Sequence, residues 1–188
     1  MLSILFSEHF PNIKLSIKDD TPDGLYKRLI QDEIDFFLLY SKADKFFANV
    51  EQLVINQIIS FDVAAVISPQ AEQHDDITSY HWSFPQVTDR FLDYSTFSKP
   101  YKKIKDKGNL AYEMDLNHTR ISLAEEGKAA TVVPMFLVKD KIAEGKLIQL
   151  PVEIEKFELS VFYLKTKPLS QNSKLILDRF KALFDEGI

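Results

Sequence analysis

Between residues 13 and 40 the hydrophobic spacing changes period twice, and nothing else in the sequence limits the fold so closely. Ile13, Leu15 and Ile17 alternate with Lys14, Ser16 and Lys18, the period-2 signature of a strand with one solvated face. Thr21 and Pro22 then form a helix start. A threonine oxygen satisfies an orphan N–H, and proline sits in the first turn, where no N–H is needed. Leu25, Leu29, Ile30 and Ile34 give this helix an apolar stripe. Residues 36–40, Phe-Phe-Leu-Leu-Tyr, are apolar on both faces, as in a central strand covered by helices. Strand, helix and strand in this order, with a link too long for a hairpin, predict a doubly wound α/β sheet.

The rest of the chain extends the pattern. Residues 2–10 read as a short amphipathic helix stopped by Pro11. Residues 50–59 and 61–67 are β-branched strand runs, the second ending in Ser68-Pro69, where the chain can leave a first lobe. After the polar stretch 71–76, residues 80–84 form an aromatic strand, and Pro85 opens a helix carrying Val87, Phe91 and Tyr94. Strand pieces at 101–105 and 110–114 flank a turn at 106–109. Asp115 caps a helix with Leu116, Ile121 and Leu123 that Gly127 ends. A strand at 130–133, a helix at 134–144 closed by Gly145 and a strand at 146–150 follow. Residues 151–155 offer a second crossing, before a strand at 159–164 and a final helix from Ser170. The expected architecture is two α/β lobes with mixed sheets: residues 1–64 with 153–188, and residues 65–152.

Bulk properties restrict the function. With 188 residues, 45% of them hydrophobic, the chain can bury a core. A net charge of −5 offers no general attraction to phosphate backbones. The absence of cysteine excludes disulfides, thiolate nucleophiles and the common zinc sites, and fits a reducing compartment, with the cytoplasm as default. The apolar start is broken by Glu8-His9 and has no basic leader, and no apolar run approaches about 20 residues, so neither export nor membrane spanning is expected. His9, His74, His81 and His118 lack metal-ligand spacing. Asp19-Asp20 and Asp75-Asp76 read as loop carboxylates without a basic partner at fixed spacing. No nucleophile elbow, P-loop or dinucleotide glycine motif is present. No catalytic residue, cofactor or metal is expected.

Several segments in order resemble the effector-binding domain of LysR-type transcriptional regulators. Residues 6–15, Phe-Ser-Glu-His-Phe-Pro-Asn-Ile-Lys-Leu, resemble that family's helix-then-strand opening, and residues 29–35, Leu-Ile-Gln-Asp-Glu-Ile-Asp, its next step. Residues 121–127, Ile-Ser-Leu-Ala-Glu-Glu-Gly, followed by Ala129, Val133-Pro134 and Glu144-Gly145-Lys146-Leu147, resemble its glycine turn, proline loop and strand entry. Ala129 departs from the pattern where the family has a second glycine. The family's winged helix-turn-helix, linker helix and first effector-domain strand have no counterpart in these residues. That strand would lie between residues 13–17 and 36–40, so the two segments are expected either to pair directly or to flank a place filled by another chain.

The resemblance implies a type II periplasmic-binding-protein-like fold with two interlobe crossings. It also implies a small-molecule effector, a homodimer involving Leu2 and Leu5, and DNA contact only through a domain absent from these residues. In a two-lobed α/β protein, strand ends and helix starts converge on the ligand. On that ground Ser83, Gln86, Asn117, His118, Arg120, Thr131 and Met135 are the candidate effector contacts, with Arg120, Arg90 or helix N-termini the partner of a carboxylate. Simpler roles stand beside these: Ser83 as a helix cap, Asn117 and His118 in a capping box with Asp115, and Thr131 and Met135 in packing. Trp82, with Tyr80 and Phe84, is either an aromatic wall for a ligand or a core strand. The alternatives to an effector sensor are a solute-binding receptor, an enzyme on the same fold, and a remnant of a regulator without independent activity.

Overall fold

The computed structural model describes residues 10, 12–40, 47, 50–85, 103–104, 106–114 and 116–185. The helix expected at 2–10 and the helix expected from Pro85 fall essentially outside these. The chain divides into two compact units, Met1–Ile59 with Leu159–Ile188 and Ser60–Glu158.

In the first unit, helix α1 (Pro22–Ile30) starts where the sequence predicts: Thr21 Oγ1 accepts from the N–H of Gly24 at 3.2 Å. It ends without glycine, because Asp32 takes the left-handed conformation at φ 60° and lets Glu33 N–H return to Arg28 O at 2.9 Å. Strands β1 (Phe37–Tyr40), β2 (Leu53–Phe61) and β8 (Phe157–Leu164) form a sheet in the order β1-β8-β2, with β1 antiparallel to β8. The core joins Leu25 and Leu29 of α1 to Phe37, Phe47, Leu53 and Phe162, with Phe37 and Phe162 stacked at 4.9 Å. The last helix, α4 (Gln171–Asp185), is capped by Ser170, whose Oγ accepts from Ser173 N–H at 3.0 Å.

The strand expected at residues 13–17 is not formed. Residues 13–20 join no sheet, and Leu15 and Ile17 are 37% and 63% exposed. Direct pairing with β1 therefore does not occur, and among the described residues the outer edge of β1 carries no strand. The alternating pattern specifies a face, but a strand also needs a ladder partner.

The second unit is built on a mixed sheet in the order β5-β4-β6-β3-β7. Its strands are β3 (Val63–Ile67), β4 (His81–Phe84), β5 (Asn109–Glu113), β6 (Ala130–Pro134) and the short β7 (Ile148–Gln149). β4 runs parallel to β5 and β6, while β3 is antiparallel to β6 and β7. Helix α2 (Asn117–Glu125) lies on one face, where Ile121 and Ala124 pack with Ala64, Val66 and Val133. Gly127, at φ 70°, turns the chain from α2 into β6, a conformation that resists any side chain.

Two expectations in this unit need correction. Residues 103 and 104, expected in a strand, and 106 and 107, expected in a turn, are helical, with Gly108 N–H bonded to Ile104 O at 2.8 Å. The helix expected at 134–144 is split into a 3₁₀ turn (Met135–Leu137) and a short helix α3 (Lys139–Ala143). The break is at Val138, whose φ of −126° is not helical and whose fully buried side chain is held in the core. No helix among the described residues is long and apolar enough to cross a membrane.

Candidate functional site

The candidate contacts that the structure describes all belong to the second unit, and four of them form one connected group. Ser83 of β4 and Thr131 of β6 are paired neighbours. Side chains two residues apart in a strand share a face, so Thr131 and Val133 both look toward α2, and so does Ser83. Trp82 and Phe84 look the other way. They stack on each other at 5.7 Å, Trp82 is fully buried and its Nε1 donates to Ile77 O at 2.9 Å, so the aromatic run is core.

Arg120, in the first turn of α2, reaches down to the strands. Only 5% of it is exposed. Its Nη1 donates to Thr131 Oγ1 at 3.3 Å and to Val132 O at 3.1 Å, and its Nη2 donates to Asn117 Oδ1. Thr131 in turn donates to Ser83 O at 3.0 Å. This corrects the expected role of Arg120 as an open partner for a carboxylate: both terminal nitrogens are already engaged by neutral acceptors of the protein, and the group acts as a clamp between helix and sheet.

The clamp holds the Asn117 side chain by its Oδ1. Asn117 does not cap its own helix, whose N-cap position is Leu116, without a side-chain cap bond. Arg120 N–H bonds to Leu116 O at 3.2 Å, whereas the N–H groups of Asn117, His118 and Thr119 find no acceptor among the described residues. The expected capping residue Asp115 and the candidate Gln86 lie outside those residues. His118 is exposed at this helix start.

Ser83 is the outlier. It is 0% exposed, and its hydroxyl has no hydrogen-bond partner, so it is not a helix cap. A buried hydroxyl left unpaired is unusual in a native fold. Met135 is half-buried beside Ala64 and Val138, and its N–H donates to Asp62 O at 2.9 Å; its observed role is packing at the proline loop.

Two carboxylates expected to lack partners have them. Asp20 bonds Arg28 Nε at 2.9 Å, which with its backbone bond to Thr21 holds the carboxyl below the ordinary range. Asp76 is lowered first by the Thr78 N–H it accepts and then by Lys103, 3.1 Å away. Both are exposed structural ties. His74 packs edge-on to Tyr80, and His81 Nδ1 meets Asn109 Nδ2 at 3.0 Å. Among the described residues no three His, Cys, Asp or Glu side chains converge as metal ligands.

Comparison with known families decides what this arrangement belongs to. The family model described as LysR substrate binding domain matches residues 4–185. The chain belongs to that family. Solved structures share the fold. The regulatory domain of CrgA, a LysR-type regulator from Neisseria meningitidis, superposes with a TM-score of 0.71 at 19% identity, over 97% of this chain and 89% of that one. The regulatory domain of HypT from Salmonella typhimurium gives 0.69 at 14% identity, over 97% and 90%. Against the structure of CrgA itself, the LysR substrate-binding domain described here covers 98% of its own length but 62% of that chain, with a TM-score of 0.65 and 21% identity. Sequence comparison with curated proteins finds no match. The two sheets are thus those of a periplasmic-binding-protein-like type II fold, and the role that comes with this family is effector sensing.

Proposed function

We propose that this LysR substrate-binding domain reads a small-molecule effector with the head of α2 and the adjoining strand ends. Ser83, Asn117, His118 and Thr131 are its contacts, Gln86 and Met135 are further candidates, and Arg120 positions Asn117. The observation that carries this reading is the buried Ser83 hydroxyl without a partner, paired with Thr131 on the sheet face that α2 covers. A binding-competent arrangement favoured by the effector would shift the domain's conformational equilibrium, the general route by which such a module regulates. DNA contact belongs, in this proposal, to another domain of a longer polypeptide, and the working assembly is a cytoplasmic homodimer. The non-enzymatic reading follows from the effector-sensing role of this family.

The test is a thermal-shift screen of the purified chain against a metabolite library, since a ligand that binds only the native state raises the melting point by mass action. A concentration-dependent shift from one chemical class, reduced by Ser83→Ala, is expected. A cooperative melt that no compound shifts would overturn the reading. Light scattering of the same sample checks the dimer.

A further inference from the structure

An open sheet edge presents a row of unpaired N–H and C=O groups, and native proteins blunt such edges with short strands, charges or proline. Among the described residues four strands end the two sheets, and three of them are blunted. β7 is two residues long, β1 is four, and β5 ends in Glu113. β2 is the exception. It runs for nine residues, Leu-Val-Ile-Asn-Gln-Ile-Ile-Ser-Phe, without a charge, a proline or a glycine. Within the first unit a groove of about 530 Å³ lies along this edge. Four consecutive residues of β2, 55–58, form one wall, and α4 contributes Lys174, Leu177, Asp178 and Lys181. Consecutive residues of a strand point to opposite faces, so what opens on the groove is the edge of β2 itself. An extended chain is the occupant whose backbone can meet those groups.

We propose that this occupant is β2 of a second copy, paired antiparallel so that the two three-stranded sheets become one continuous sheet. The strand is its own complement. Pairing about a two-fold axis at Asn56 sets Leu53 opposite Ile59 and Val54 opposite Ile58, apolar against apolar, with the exposed Asn56 and Gln57 at the centre. The charges on the groove's other wall fit the same symmetry. Lys174, Asp178 and Lys181 are four and three residues apart, so they form a stripe of alternating sign on one face of α4. Turned about the two-fold axis, the stripe sets Asp178 of each copy against a lysine of the other, whereas an acidic peptide would meet Asp178 as a like charge. The assignment deepens the homodimer of the proposed function by naming a face for it. It is independent of the effector contacts, whose described members belong to the other unit.

The experiment measures the mass of the whole chain by light scattering, for the parent and for the double variant Asn56→Lys/Gln57→Lys. Both positions are exposed, so the fold is kept while like charges are set opposite one another across the axis. The expected result is a mass that halves in the variant, with an unchanged melting point. A second variant reads the register directly. The chain has no cysteine, and residues facing each other across an antiparallel pair stand about 4.5–5.5 Å apart at Cα, within reach of a disulfide. Under a mild oxidant Asn56→Cys should link two copies about tenfold or more faster than Glu72→Cys, an exposed position in the other unit, because pairing holds its thiols at high effective concentration.

Equal masses for parent and double-lysine variant, or equal rates of linkage for the two cysteine variants, overturn the proposal. If the parent is a dimer in that case, the homodimer stands and only this face is wrong. A parent that stays monomeric at every concentration sinks the face and the homodimer together, and leaves the effector reading to its own thermal-shift test. A monomer that binds poly-L-glutamate along β2 would give the groove to an acidic chain and overturn the second-copy assignment.

Discussion

Replacing Ser83 with alanine is expected to stabilise the protein. The Ser83 side chain is fully buried and its hydroxyl unpaired. An unsatisfied buried hydroxyl costs about 1–3 kcal/mol in lost hydration. Alanine removes that penalty and gives up only the dispersion contacts of one oxygen, about 0.5 kcal/mol or less. The net gain is therefore about 1–2 kcal/mol. Urea unfolding read by tryptophan fluorescence measures it, because Trp82 is the only tryptophan, is fully buried and adjoins Ser83 in β4. With a slope of about 1–3 kcal/mol per molar in urea, the midpoint should rise by about 0.3–2 M. A midpoint lowered by the same amount would refute the reasoning, since it would mean that the hydroxyl is satisfied in the native protein, for example by a buried water.

Thr131→Val removes both the acceptor for Arg120 Nη1 and the donor to Ser83 O, and should cost about 1–3 kcal/mol by the same fluorescence assay; an unchanged midpoint would show that the clamp does not depend on this hydroxyl. In the other unit, Phe162→Ala empties a ring stacked on Phe37 at 4.9 Å and fully buried, with an expected loss of about 3–5 kcal/mol in urea unfolding followed by circular dichroism. Ile17→Lys, at a residue 63% exposed and outside any sheet, should change stability by less than about 0.5 kcal/mol, and a large loss would show that this segment is paired after all. Asp20, Asp76 and Glu144 have folded pKa values below their ordinary ones, so their stabilising effect is present above the ordinary carboxylate range and is lost as pH falls through the lowered folded values. The melting temperature should drop over that acidic interval, less so in high salt because these ties are exposed, and a flat profile would contradict the assignment.

The helices and strands that sequence pattern located correctly are those whose signals are local. Thr21-Pro22 caps α1, Ser170 caps α4 and Gly127 turns α2 into β6, each through contacts within a few residues. Continuous apolar runs became β3 and β6, which are buried on both faces. The misses have the opposite character. Residues 13–20 carry the right alternation but join no strand, and the helix expected through Val138 breaks because the core takes that side chain in a non-helical backbone. The site was legible by residue type and only partly by role. Helix starts and strand ends pointed to Ser83, Asn117, Arg120 and Thr131, but nothing in the linear sequence says that Ser83 pairs with Thr131 across two strands. That pairing is what puts the hydroxyl on the α2 face.

Arg120 shows most clearly why such roles resist reading from sequence. As one of four arginines, at a helix start, it looks like the natural partner of an acidic ligand. In the fold its terminal nitrogens bond Thr131, Val132 and Asn117, which fixes its geometry. A buried guanidinium in that position fixes how helix and sheet meet, because it bonds a side chain of its own helix and two groups of β6. Lysine could supply the charge but not the planar set of bonds that joins helix to sheet. The arginine therefore acts through the residues it holds, Asn117 on the helix and Thr131 on the sheet.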